Sequence, residues 1–268
     1  MSFRIGTVDI PDRIERDRYF RELSYLELSA LFAGPLKPGS LAKWKDFAPA
    51  GAIGLVAPFV LTHRTAPKAA KTWEHDATTG DFRDSALGRA ALAQFQDGVK
   101  TVSAGFAIFQ SPPLFAPSQA NRDRLAKFFS EVATEDAVGA KRVWVPDGLW
   151  ETRSAVKLAS ELGVICAFDP LVRAPEDPPE IHYDLELDEL YLRITGLGRS
   201  GPIRSEKLED LIALLMEYAG LPTTIAFESP SRWADARNLK KLLEGVELDS
   251  SSSSSSPPDR DDDESEEA

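Results

Sequence analysis

RVWVPDGLWETRSAVKLASELGVICAF, residues 142–168, sets two short β-rich runs, 142–145 and 164–168, on either side of one amphipathic stretch, 152–162. A strand, a helix and a second strand joined this way pair in parallel, because the helix carries the chain back to the starting edge. The same alternation extends in both directions. Strands are predicted at residues 3–8, 25–30, 53–57, 106–110, 142–145, 164–168, 190–194 and 223–227. Helical patterns are clearest at 84–100, 118–133, 152–162, 205–218 and 231–243. Residues 170–189 are rich in proline and acid, so the sixth helix is expected to be missing or very short. Eight strands within about 245 residues fit a closed (β/α)8 barrel of TIM type, whose usual size is roughly 250. An open doubly wound sheet is the alternative.

The barrel is expected to occupy residues 1–246 and to be followed by a separate tail, 247–268. That segment holds a run of serines from Ser250 to Ser256, then Pro257-Pro258 and an acidic stretch from Asp259 to Glu267. From Asp249 onward it has nothing with which to bury a face, so it is expected to be disordered and solvating, with a basic protein partner or phosphorylation as the functional alternative. It carries nine acids and one base, so of the chain's formal charge of -12 the other 246 residues hold only -4. Such a balance offers no broad basic surface to a nucleic acid. The 43% hydrophobic content suffices for a sizeable core, yet no apolar stretch is long enough to span a bilayer. With no secretory pattern at the N-terminus, a cytoplasmic protein is expected. The single cysteine, Cys166, sits in an apolar strand and reads as a core residue. The tryptophans Trp73, Trp144, Trp150 and Trp233 read as packing residues rather than a base-stacking platform.

Two strands carry polar residues on one face. At period two, Tyr25, Glu27 and Ser29 share a side of the second strand, and Tyr191, Arg193 and Thr195 share a side of the seventh. A charge turned into a barrel needs a partner, and Arg193 is the best candidate for Glu27. The pair is expected either as a structural ion pair or as part of a ligand site. Asp9, Thr62, His63, Gln110 and Asp169 stand where strands end, the face on which barrels build their sites, and are expected to line a pocket.

The run Phe109-Gln110-Ser111-Pro112-Pro113-Leu114-Phe115 resembles the Phe-Gln-x-Pro-Pro-x-Phe signature of the YecE-like family, the bacterial domain of unknown function numbered seventy-two. Other pieces resemble it in order: Ile5-Gly6-Thr7, Leu26-Glu27-Leu28 with Phe32, Ala57-Pro58 through His63, Phe168-Asp169, Tyr191-Leu192-Arg193 with Gly196, and Asn238-Leu239. The resemblance implies a TIM-type barrel of unsettled activity with a polar, anion-accepting pocket at the strand ends. The chain also departs from the family pattern. It has Trp144-Val145-Pro146-Asp147 where the family has Glu-Phe-Arg-His, Val56 for a lysine, Thr195 for a histidine, and Glu228-Ser229 for an Asn-Asn pair. Catalytic groups act jointly, so these losses point to a divergent branch in which catalysis is doubtful.

Gly196-Leu197-Gly198-Arg199-Ser200-Gly201 matches Gly-x-Gly-x-x-Gly, but Pro202 blocks direct entry into a helix and too little chain follows for a dinucleotide domain. An anion site in this loop, through backbone N–H groups of Gly196 and Gly198 with Arg199 and Arg204 adding charge, is the better functional reading, against a plain glycine turn. No dense metal-ligand spacing appears, and neither a metal nor a cofactor is expected. The function expected is therefore binding of a small anionic or phosphate-bearing ligand by Gln110, Arg193, Gly196, Gly198 and Arg199. Glu27, His63 and Asp169 are the candidates for any catalytic role. The alternatives are a non-catalytic scaffold that uses its acidic tail and a nuclease-like barrel.

Overall fold

A computed structural model of the chain describes residues 3–37, 39–69, 71–174, 176–196 and 200–252. Strands form where the β-rich runs stand: β1 Phe3–Val8, β2 Tyr25–Leu28, β3 Ile53–Val56, β4 Phe106–Gln110, β5 Lys141–Val145, β6 Ile165–Phe168, β7 Leu190–Ile194 and β8 Thr223–Phe227. Each pairs in parallel with the next, and β1 closes on β8 with Gly6 beside Ala226, so the sheet is a closed barrel and not an open one. The helices are α1 Arg16–Glu22, α2 Phe59–Thr62, α3 Ala86–Val102, α4 Gln119–Lys127, α5 Glu135–Val138, α6 Thr152–Glu161, α7 Ser205–Glu217 and α8 Arg232–Ser252. The crossover from β6 to β7 carries only one 3-10 turn, Pro179–His182, as its proline-rich sequence implies. The crossover from β2 to β3 is equally reduced, to the turn Ala42–Trp44, which the sequence pattern did not signal.

Most boundaries fall within two residues of the sequence expectation, and three differences stand out. Strand β2 stops at Leu28 instead of residue 30, because the Asp9 carboxylate takes the Ser29 N–H at 2.9 Å and removes it from the ladder. The helix expected over 118–133 ends as α4 at Lys127 and continues as a π-helical turn, Phe128–Val132. There the buried Arg142 guanidinium draws the carbonyls of Phe129, at 2.7 Å, and Ala133, at 3.2 Å. Helix α8 runs on to Ser252, past residue 243 where its amphipathic pattern was expected to end. The remainder of the proposed tail, 253–268, lies outside the described residues.

Two apolar layers hold the barrel. The outer one packs the helices on the sheet through residues such as Phe95, Phe109, Phe128, Leu192 and Leu239. The inner one fills the barrel with Val8, Tyr25, Val56, Phe106, Ile108, Val143, Ala167, Tyr191 and Ala226. Large and small residues must alternate for such a layer to close. Gly54 shows why: a Cβ there would lie 1.9 Å from the Tyr25 hydroxyl. Cys166 is buried in the outer layer, and burial pushes its thiol well above the ordinary range, so it acts as a core residue.

Candidate functional site

The strand period turns Tyr25 and Glu27 of β2, and Tyr191 and Arg193 of β7, toward one another across the barrel. The Tyr25 and Tyr191 hydroxyls are 2.7 Å apart, and Tyr191 donates to Glu27 Oε2 at 3.0 Å. Arg193 Nη2 lies 3.1 Å from Glu27 Oε1, at an angle that makes an ion pair but no hydrogen bond. Arg193 Nε is 3.3 Å from Glu228 Oε2. With its amide oxygen turned toward the guanidinium, Gln110 accepts from both Arg193 Nη1 and Nη2. Exposure grades along this chain of groups, from 0% for the Glu27 side chain through 10% for Arg193 to 43% for Glu228.

Charge follows burial. Loss of water raises the Glu27 carboxyl above its ordinary value, and the attraction of Arg193 only partly opposes this. For Arg193, burial pulls the guanidinium down, but Glu27 and Glu228 together leave it raised. Both tyrosine hydroxyls are pushed well up by burial and then by Glu27, so they stay neutral donors.

Above Arg193 opens a cavity of about 570 Å³ at the carboxyl ends of the strands, lined by His63, Gln110, Asp169, Arg193, Thr195 and Glu228 among others. The lining also holds the apolar residues Val145, Pro146, Trp150, Phe168, Val172 and Ile181 and the charged residues Asp147, Glu151, Arg153, Arg173 and Asp177. Asp169 accepts from Thr195 N at 2.8 Å, Thr195 Oγ1 at 2.7 Å and Leu171 N at 3.0 Å. Burial nevertheless raises its carboxyl. The His63 Nδ1 pairs with Thr62 Oγ1 at 2.7 Å, and burial lowers its imidazole, which therefore lines the mouth as a neutral group.

The cavity thus brings together four of the sequence-predicted residues: His63, Gln110, Asp169 and Arg193. Glu27 lies sealed beneath them. Asp9 does not line the cavity, because its carboxylate caps Ser29, and Thr62 is buried under His63. Gly196 does not line it either. It adopts a left-handed φ of 69°, and a Cβ there would meet Ser229 at 2.8 Å, which explains the glycine without a ligand. Gly198 and Arg199 lie outside the described residues, as does most of the acidic tail with its proposed partner.

Sequence reasoning missed Glu228 and His182. Glu228 directly follows β8, so the rule that polar residues at strand ends line the mouth could have found it. His182 comes from the irregular β6–β7 crossover, where no periodicity exists to place it. The three arginines that line the cavity all have partners, Arg193 having the expected Glu27. Arg173 pairs with Asp210 at 3.0 Å, and Arg153 donates to the carbonyls of Tyr183 and Asp184. Among the described residues, no group of three or more His, Cys, Asp or Glu is placed to hold a metal ion, and no helix is long and apolar enough to cross a membrane.

The fold has counterparts among solved structures. A DUF72 family protein from Enterococcus faecalis superposes with a TM-score of 0.62 at 12% identity, over 91% of this chain and 95% of that one. A DUF72 family protein from Thermotoga maritima gives 0.58 at 14% identity, over 91% and 100%. A xylose isomerase domain containing protein from Salmonella typhimurium gives 0.51 at 12% identity, over 91% and 97%. No family model matches the chain, and no curated protein matches its sequence. At such identities the likeness shows the fold, and the two DUF72 neighbours agree with the YecE-like resemblance read from the residues.

Proposed function

We propose that the chain is a divergent YecE-like barrel that binds a small anionic ligand at its mouth, the ligand's carboxylate or phosphate meeting Arg193 in place of Glu228. The observation that carries this is the unequal pair of counter-ions on one guanidinium. Glu27 is fully buried and fixed by Tyr191, whereas Glu228 is 43% exposed and borders the cavity. An incoming anion can take the outer position without disturbing the inner one, and Arg is suited to forked recognition of such groups. Binding accounts for the geometry better than a reaction does. Glu27 is shut away from the cavity, and three donors already hold Asp169.

Thermal unfolding against rising inorganic phosphate and acetate, with chloride at matched ionic strength as reference, tests the proposal. The melting temperature is expected to climb with either anion in the parent and to stay flat in Arg193→Met. Equal stabilisation of both chains overturns it, as does no stabilisation of the parent.

A further inference from the structure

The mouth is much larger than a bare anion requires, and part of its surplus is lined by apolar side chains. A phosphate or acetate on Arg193 leaves most of a 570 Å³ cavity unfilled. Sites of this size ordinarily enclose the greater part of a ligand's surface. Of the six large apolar side chains that the described residues leave exposed, Phe47 and Leu242 lie elsewhere and four follow neighbouring strands. Leu114, 95% exposed, follows β4; Leu149, 81%, follows β5; Val172, 53%, and Ile181, 38%, both follow β6. All four therefore stand on loops of the mouth face, and those after β4 and β5 touch, since a Cβ on Gly148 would meet Pro113 O at 2.2 Å. Apolar residues gathered at one rim mark a binding surface more often than chance exposure does.

Val172 and Ile181 line the cavity that Arg193 floors, together with the Phe168 ring. Beside them His182 is 5% exposed, tilts against Phe168 at 5.5 Å between ring centroids, and has an Nε2 without a hydrogen-bond partner. A buried polar atom left unmatched is costly, which points to a contact completed by what enters the cavity.

We infer that the mouth takes a carboxylate bearing a ring-sized apolar body, which rests on Val172, Ile181 and Phe168 while its acid group reaches Arg193. This rests on the reading of the mouth as an anion site and names the class of anion. His182 supplies the side wall with a neutral polar edge, burial holding its imidazole below the ordinary range.

Calorimetric titration of the whole chain with acetate, benzyl alcohol and phenylacetate separates the possibilities. Phenylacetate is expected to bind at least about tenfold more tightly than acetate, the gain from burying a few methylene equivalents. The double variant Val172→Ser/Ile181→Ser should lose most of that gain and keep its acetate affinity, because both side chains are exposed and neither belongs to the two apolar layers. Equal affinity for acetate and phenylacetate overturns the apolar subsite while leaving the anion reading intact. Benzyl alcohol binding as tightly as phenylacetate overturns the acid contact, and with it the anion reading. Absence of binding by all three overturns both. A concentration-dependent dimer that Leu114→Ser/Leu149→Ser dissolves, with no effect of phenylacetate, gives the rim to a second copy and overturns the inference.

Discussion

Arg193 Nη2 lies 3.1 Å from Glu27 Oε1, although one residue comes from the seventh strand and the other from the second. Barrel closure brings them together inside a space that excludes water. A buried pair of this kind is stabilising only relative to a broken one, because each charge left alone keeps its full cost of desolvation.

Removing one partner should therefore be worse than removing both. Glu27→Gln and Arg193→Met are each expected to cost about 3–5 kcal/mol in denaturant unfolding. The double variant should recover part of that loss. Additive losses would show that the two side chains do not interact.

The outer carboxylate should behave differently. Glu228 is 43% exposed, so solvent screens its pairing with Arg193, and Glu228→Gln should change stability by no more than about 1 kcal/mol. The same variant should strengthen the stabilisation by acetate, since the competing carboxylate is gone. Weaker stabilisation would assign Glu228 a supporting role at the site.

Gly54 is fixed by the tyrosine it faces. Gly54→Ala places a methyl 1.9 Å from the Tyr25 hydroxyl, and overpacking of this kind costs about 1–3 kcal/mol. Tyr25→Phe in the same chain removes the nearest atom and should restore part of the loss, as measured by thermal unfolding. No restoration would place the strain elsewhere.

Arg142 ties three carbonyls, of Phe129, Ala133 and Gly163, to β5 without a carboxylate in contact. Arg142→Ala leaves them unmatched, and a loss of about 2–4 kcal/mol is expected. Hydrogen exchange should show faster opening of residues 128–133 than of the barrel strands. Uniform acceleration would contradict the local role.

Asp169 sets a pH dependence. Burial raises its carboxyl above the ordinary 3.8, so the folded chain binds that proton more tightly than the unfolded chain does. Its contribution to stability therefore falls as pH rises from the ordinary value through the folded one, and is level above. The stability of the parent minus that of Asp169→Asn should shrink across that window. A difference that widens with pH would mean that the three donors outweigh burial.

The sequence alone determined the order and kind of the elements, because that evidence is local. Period-two runs such as 190–194 and amphipathic runs such as 152–162 fix element type, their alternation calls for a parallel sheet, and eight strands in one domain's length favoured a closed barrel over the open sheet. The proline-rich stretch after β6 likewise announced its missing helix. Glu27 and Arg193 were also legible as partners, since two charges on apolar strands have few other ways to be satisfied.

The mouth could be read only in part. Asp9 and Asp169 look alike in the sequence, each an acid just past a strand. Asp9 caps Ser29 away from the cavity, whereas Asp169 borders it. His182 and Ile181 come from irregular chain, which carries no periodicity from which to infer a direction. Strand pattern is set by neighbours in the chain, and the sequence records it. Which polar group meets which, and which arginine is already neutralised, depends on distances between remote segments that exist only once the ring of strands has closed.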